Sequence, residues 1–258
     1  MTDPLFAMRD VTVRFGGLTA LNRFSMAVHT GTIHALIGPN GAGKSTAFNC
    51  ISRFYTPASG DILFDGKTIL RIPAHAIPHL GIGRTFQNIE LCKRMTVLEN
   101  VLVGAAPCIA GYGAFWPSPR RTRIEAAATK AAEQLLEQAG LLACRDVPAE
   151  ELDFGHQKML DLCRALACRP RLLLLDEPAA GLRNREIAAL DALLMDLSRR
   201  RGITIVLVEH VMQLVMAVAD EITVLNFGEM IAAGKPSEIR ASPQVIEAYL
   251  GKGLHAAP

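Results

Sequence analysis

No apolar run in the sequence reaches the ~18 residues that a membrane-crossing helix needs. The longest candidate, from Ile203 to Phe227, is interrupted by Glu209, His210, Asp220 and Glu221. The chain is therefore expected to be soluble, or peripheral to a membrane through a partner. A signal-peptide pattern is missing as well: after Met1-Thr2-Asp3-Pro4, the charges of Arg9 and Asp10 come too soon. Charge of one sign is scarce. The net charge of +2 is too small to argue for nucleic acid, and Arg120-Arg121-Arg123 and Arg199-Arg200-Arg201 read as solvated faces. The six cysteines (Cys50, Cys92, Cys108, Cys144, Cys163, Cys168) make no C-x-x-C pair and have no accompanying His cluster. That argues against a zinc or redox motif and suits small buried residues in a reducing compartment. Internal repeats and low-complexity segments are also absent.

Half of the 258 residues are hydrophobic, enough for a substantial core with a smaller attached lobe. Within them stands Gly38-Pro39-Asn40-Gly41-Ala42-Gly43-Lys44-Ser45-Thr46. It fits the phosphate-binding pattern G-x-x-x-x-G-K-[ST] without a mismatch. Glycines at positions 38, 41 and 43 let consecutive backbone N–H groups turn inward, where a side chain would block them. Those amides and the positive end of the following helix suit phosphate oxygens. Lys44 adds a point charge for the outer phosphates, and the Ser45 hydroxyl is placed to ligate Mg2+. The flanks agree: Ile33–Ile37 reads as a short apolar strand and Ser45–Ser52 as a helix.

Elsewhere, Val11–Phe15 and Phe24–Val28 read as strands, and Ile62–Phe64 and Lys67–Ile69 flank the hairpin dipeptide Asp65-Gly66. Thr96–Val103 and the Ala-rich Glu125–Gln138 have helical periodicity. Between them Gly104–Ser118, which holds the sole tryptophan, Trp116, reads as an irregular loop. From Arg171 on, strands (Leu172–Leu175, Ile203–Val208) alternate with helices (Asn184–Arg200 and one from His210), the pattern of parallel strands with crossover helices. Ile222–Leu225, Met230–Ala232 and Pro236–Leu250 complete the lobe.

Leu172-Leu173-Leu174-Leu175-Asp176-Glu177 is a buried strand ending in two carboxylates. Asp176 at its tip is suited to hold Mg2+, directly or through water. Glu177 is suited to accept a proton from an attacking water. Gln87, in Gly81-Ile82-Gly83-Arg84-Thr85-Phe86-Gln87, and His210, after an apolar strand, say little alone. Neither does Leu152-Asp153-Phe154-Gly155-His156-Gln157, which opens a helix.

Taken in order, however, Phe15, Gly38–Thr46, Gln87, Leu152–Gln157, Asp176-Glu177 and His210 resemble the nucleotide-binding subunit of an ABC transporter over nearly the whole chain. The resemblance implies an α/β fold: a P-loop NTPase (RecA-like) ABC nucleotide-binding domain with an antiparallel β subdomain and a helical subdomain. Residues 1–87 and 165–258 would form the ATP-binding core with its β subdomain and tail, and residues 88–164 the helical lobe. It further implies that Phe15 stacks on adenine and that Gln87 senses Mg2+ and a transmembrane partner. His210 would contact the γ-phosphate and orient Glu177. Catalysis would then rest on Glu177, His210 and Lys44; Mg2+ would be held by Ser45, Gln87 and Asp176. Asp153, Phe154, Gly155 and His156 would touch the ATP of the facing subunit, and Ala179–Leu182 would lie across the dimer interface.

The segments Ile82–Ile89, Met95–Val101, Glu177–Leu182 and Val245–Gly251 are similar to the bacterial importers of branched-chain (hydrophobic) amino acids. That subfamily implies a second ATPase subunit, in a heterodimer or else a homodimer. It also implies two transmembrane permease subunits, a periplasmic solute-binding protein acting indirectly, and a place on the cytoplasmic face of the inner membrane. A soluble ABC ATPase on a cytosolic scaffold, as in iron–sulfur assembly, is the alternative reading; the subfamily segments argue against it. A non-catalytic regulator is a third, against which stand Lys44, Asp176, Glu177 and His210. The chain departs from the family at its signature, where Asp153 replaces the serine of Leu-Ser-Gly-Gly-Gln. Asp is a good helix cap, but its charge opposes a phosphate.

Overall fold

The computed structural model describes residues 3–109 and 119–250. In chain order the first elements are β1 (Phe6–Phe15), β2 (Leu18–Val28), β3 (Ile33–Ile37), α1 (Lys44–Ile51), β4 (Ser59–Phe64), β5 (Lys67–Thr68) and β6 (Ile82–Arg84). Three helices and a strand follow: α2 (Val97–Ile109), α3 (Pro119–Gln138), α4 (Phe154–Leu166) and β7 (Leu172–Asp176). Then come α5 (Asn184–Arg199), β8 (Thr204–Val208), α6 (Met212–Val218), β9 (Glu221–Asn226), β10 (Glu229–Gly234), α7 (Pro236–Ala241) and α8 (Pro243–Leu250).

The strands form a four-stranded antiparallel sheet, β2-β1-β4-β5, and a six-stranded sheet, β10-β9-β3-β8-β7-β6. In the larger sheet only the β9–β10 pair is antiparallel. Strands β3, β7 and β8 are buried at every position because both sheet faces are covered. Their side chains alternate between the two faces. Leu172 and Leu174 join Phe48, Ile51, Val11 and Phe24 in the core under the antiparallel sheet and α1. Leu173 and Leu175 instead join Leu162, Leu190, Leu194 and Leu214, from α4, α5 and α6. Each buried leucine contributes about 1.5–3 kcal/mol of transfer free energy. A separate cluster of Val97, Val101, Ala132, Leu136, Leu160 and Cys163 packs α2, α3 and α4 together. The α/β architecture expected from the sequence is thus present.

The Asp65-Gly66 hairpin forms, with both residues at positive φ (53° and 72°). Two expectations need correction. Helix α2 does not stop at Val103 but runs to Ile109, so residues 104–109 are not loop. Gly104 is there for packing: a Cβ on it would lie 2.1 Å from the Arg164 carbonyl oxygen, where α2 crosses α4. The rest of the expected loop, Trp116 included, falls outside the described residues. Among the cysteines, Cys50, Cys163 and Cys168 are buried, but Cys92 is exposed and Cys144 half-buried.

Candidate active site

The loop between β3 and α1 has the backbone its glycines allow. Gly38, Gly41 and Gly43 have φ of 155°, 78° and 108°. A Cβ on Gly38 would lie 2.0 Å from the Leu225 carbonyl oxygen, and one on Gly43 2.5 Å from that of Ala20. The loop is therefore wedged between β9 and β2, and only glycine fits at those contacts. The Lys44 ammonium is buried and donates to the carbonyls of Gly38 (2.7 Å) and Pro39 (2.9 Å). Burial lowers its pKa, while the carboxylates of Glu177 and Asp176 draw it back up. Ser45 and Asn40 are exposed; Pro39 and Thr46 are half-buried, and Ala42 is buried.

The tip of β7 adjoins this loop. Asp176 is buried, and burial raises its carboxyl pKa against the pull of the Arg84 guanidinium and of Lys44. Its Oδ2 lies 3.2 Å from Arg84 Nη2, and its Oδ1 has no hydrogen-bond partner among the described residues. Glu177 follows with φ 51°, a left-handed backbone that costs a non-glycine residue about 1–3 kcal/mol. Every polar group of Glu177 is engaged. Its N–H donates to the Val208 carbonyl (2.8 Å), and its own carbonyl accepts from Lys158 Nζ (2.6 Å). Oε1 lies 2.9 Å from His210 Nε2, and Oε2 accepts from Gln87 Nε2 at 3.2 Å. Glu177, His210 and Gln87, distant in sequence, thus meet at the end of the sheet. Buried Glu209 anchors the surrounding turns: Oε1 accepts from Ala179 N–H (2.6 Å) and Oε2 from His210 N–H (2.9 Å) and Val211 N–H (3.1 Å).

Phe15 stands apart, at the end of β1. Its ring is exposed and packs edge-on against Tyr55, with centroids 5.0 Å apart. The signature residues contact their own helix and the turn after β7. Asp153 caps α4 by accepting from His156 N–H at 2.9 Å, and His156 Nδ1 lies 2.9 Å from its other oxygen. That backbone hydrogen bond holds the Asp153 carboxyl below the usual carboxylate range. The exposed Phe154 ring abuts Gly181, where a Cβ would lie 2.7 Å from Cε1, and Lys158 Nζ lies 5.6 Å from its centroid. Gly155 sits beside Glu186, whose Oε1 would lie 3.0 Å from an added Cβ.

Arg84, Lys158, Glu209 and Tyr55 are the site's neighbours that sequence reasoning did not single out. Glu209 carried one usable signal, a carboxylate closing the apolar run Ile205–Val208. Arg84, directly after the apolar Ile82-Gly83, carried a similar one.

A left-handed glycine loop, a lysine beneath it and two strand-tip carboxylates, in a parallel sheet with a helical lobe, define a phosphate-loop nucleotide-binding cassette. Comparison with known proteins agrees. Residues 21–180 match the family model "ABC transporter", and residues 229–255 match "Branched-chain amino acid ATP-binding cassette transporter". The chain is 41% identical over 257 residues to the high-affinity branched-chain amino acid transport ATP-binding protein BraF of Pseudomonas aeruginosa, covering 98% of this chain and 100% of that one. The ADP conformation of MJ1267, an ATP-binding cassette of an ABC transporter, superposes with TM-score 0.84 at 30% identity, covering 97% of this chain and 100% of that one. The dimeric structure of MJ0796, a bacterial ABC transporter cassette, gives TM-score 0.75 at 26% identity over 90% of this chain and 98% of that one. The chain belongs to the ABC transporter family, in the branch of the branched-chain amino acid transport ATP-binding proteins.

Proposed function

We propose that this protein is the ATP-hydrolysing motor subunit of a bacterial importer for branched-chain amino acids or related small hydrophobic solutes. The observation that carries the reading is the Glu177 carboxylate, held between His210 and Gln87 beside Lys44 and the unpaired Oδ1 of Asp176. In this reading Glu177 takes the proton of the attacking water and His210 keeps the carboxylate oriented and meets the γ-phosphate. Lys44 exchanges its loop carbonyls for the outer phosphates of ATP, whose remaining oxygens go to the amides of Gly38–Thr46. Phe15, with Tyr55, offers its ring face to the adenine.

A magnesium ion fits the donors present. Asp176 Oδ1 is buried and without a hydrogen-bond partner among the described residues, and Ser45 offers an exposed hydroxyl at the start of α1. Hard cations of this kind take oxygen ligands and keep several waters. Ser45 and Asp176 would hold it with the nucleotide, and Gln87 would reach it from the loop after β6. Bound there, Mg2+ would neutralise charge on the phosphates during transfer.

The protein would work as one of two ATPase subunits, paired with a different chain or with a second copy of itself, against two permease subunits. No helix among the described residues is long and apolar enough to cross a membrane, so membrane attachment would come through the permeases, at the cytoplasmic face. A groove of about 410 Å³ between the core and the helices offers them a seat, lined by Phe54, Ile77, Pro78, Phe86, Val103 and Arg164. Residues 1–87 and 165–258 would act as the ATP-binding body and residues 88–164 as the lobe that closes on the facing subunit. Co-purification of the tagged chain from its native membranes tests this. Two polytopic proteins with a second ATPase are expected; exclusively soluble partners would favour a cytosolic scaffold ATPase.

Where the facing subunit is a different chain with the usual signature serine, Asp153 would make the two nucleotide sites of the assembly unequal. Its hydrogen bond from His156 N–H keeps it ionised, so it would meet the facing phosphate as a like charge. Asp153→Ser preserves the helix cap and is expected to raise the ATPase rate of the assembled complex severalfold. An unchanged or lower rate in steady-state assays would overturn the idea that Asp153 slows its site.

A further inference from the structure

Arg84 is more heavily engaged than a strand-end arginine needs to be. It closes β6, directly beside β7, with Arg84 opposite Leu174 in the parallel register. Its guanidinium is nearly buried and spans two parts of the site. Nη1 donates to Asn49 Oδ1 (2.9 Å) on α1 and to Ser52 Oγ (2.8 Å) just after it. Nη2 donates to Asp176 Oδ2 (3.2 Å). Phe86, Phe48 and Phe54 surround it, with ring centroids 4.9, 5.5 and 5.9 Å from Cζ. A planar fork wedged among rings and tied at both ends has little rotational freedom.

Stability alone does not explain the arrangement. A buried ion pair is a weak stabiliser unless its remaining donors and acceptors are satisfied. This pair holds the two atoms, Arg84 Nε and Asp176 Oδ1, that are buried without a hydrogen-bond partner among the described side chains. A hydrophobic pair would fill the space without that cost. What the arrangement does achieve is directional. One oxygen of Asp176 is occupied, the rotation of the carboxylate is fixed, and the other oxygen is left free. The same guanidinium grips α1, the helix that begins with Lys44 and Ser45.

We propose that Arg84 is a positioning residue for the metal site: it fixes the Asp176 carboxylate relative to Ser45 so that Oδ1 is presented to the cation. The inference rests on the metal assignment given above for Ser45 and Asp176. Partners of this kind, one shell outside a metal, change metal affinity by about 10–100-fold when removed.

The test uses the full chain with Mn2+ as a paramagnetic substitute for Mg2+, its binding to the ADP complex read by electron paramagnetic resonance. Arg84→Gln is expected to weaken Mn2+ binding about tenfold and to raise the Mg2+ concentration that half-saturates ATP turnover. ADP affinity in the presence of a chelator should stay unchanged. Arg84→Lys, which keeps the charge but cannot fork to both ends, should fall between. Native Mn2+ affinity in Arg84→Gln, with only the melting temperature reduced, would make Arg84 a structural bridge and overturn the proposal. If Arg84→Gln does not fold, Asn49→Ala removes one anchor and leaves the ion pair. A severalfold loss of Mn2+ affinity would then support the proposal, and native affinity would overturn it. Asp176→Asn is the control for the underlying reading. If it too leaves Mn2+ affinity intact, the metal assignment itself fails, and the inference falls with it; a loss in Asp176→Asn beside native affinity in Arg84→Gln overturns the role of Arg84 alone.

Discussion

Glu177→Gln is expected to reduce ATP turnover by about 10²–10⁴-fold, the range over which a positioned general base acts, while ATP still binds. The carboxylate has two oxygens and two neighbours, His210 Nε2 at 2.9 Å and Gln87 Nε2 at 3.2 Å. An amide of the same shape keeps one acceptor and turns the other into a donor. The oxygen stays with Gln87, and neutral His210 can accept from the NH₂, so the geometry survives. The basic oxygen does not. The backbone at Glu177 is pinned independently, by Val208 and Lys158, so its left-handed conformation should persist in the variant. Nucleotide binding and closure would continue without the step that ends them. ATP-bound dimers should therefore accumulate and be visible as a stable dimer peak on gel filtration. Single-turnover hydrolysis at more than about a tenth of the native rate would remove Glu177 from the role of base.

Lys44→Met is expected to weaken nucleotide binding by about 10–150-fold, the equivalent of one charge-assisted hydrogen bond of about 1.5–3 kcal/mol. Met matches the length and volume of the buried stem, so the fold should hold. The present partners of the ammonium are carbonyls of the loop itself, at Gly38 and Pro39. Without nucleotide the lysine thus braces the loop from inside, and with nucleotide the same charge would turn to phosphate. The variant loses both functions. Ligand stabilisation grows as RT ln(1 + [L]/Kd), so thermal melting at fixed ATP gives a direct reading. The native chain should show a clear rise in melting temperature, and Lys44→Met little or none. An undiminished ATP-induced rise would mean that the amides alone carry the phosphates.

The phosphate loop was legible because its chemistry is local: nine consecutive residues contain the whole device. The six-stranded sheet was nearly as legible, since Leu172–Leu175 and Ile205–Val208 are apolar runs covered on both faces. Gln87 and His210 were different. Nothing near either residue in sequence marks it, and each gained meaning only from its order relative to the other motifs. Arg84 and Glu209 escaped because a polar residue beside an apolar run reads as the end of a strand, and Lys158 because a lysine inside a helix carries no mark of its own. Their partners lie 92, 19 and 30 positions away in the chain. Gly104 misled for a related reason. Local propensity treats glycine as a helix breaker, whereas here the missing side chain lets two helices touch.

The Phe15–Tyr55 pair has a bearing on which nucleotides can drive the protein. It would offer the base an aromatic ring, and stacking does not distinguish one base from another, since every base has a π-face. The loop and its lysine, by contrast, would contact phosphates. Discrimination would therefore reside at the phosphate end: triphosphate would be told from diphosphate with care, and guanine from adenine hardly at all. The energy source of the protein would then be set by whichever triphosphate is most abundant around it.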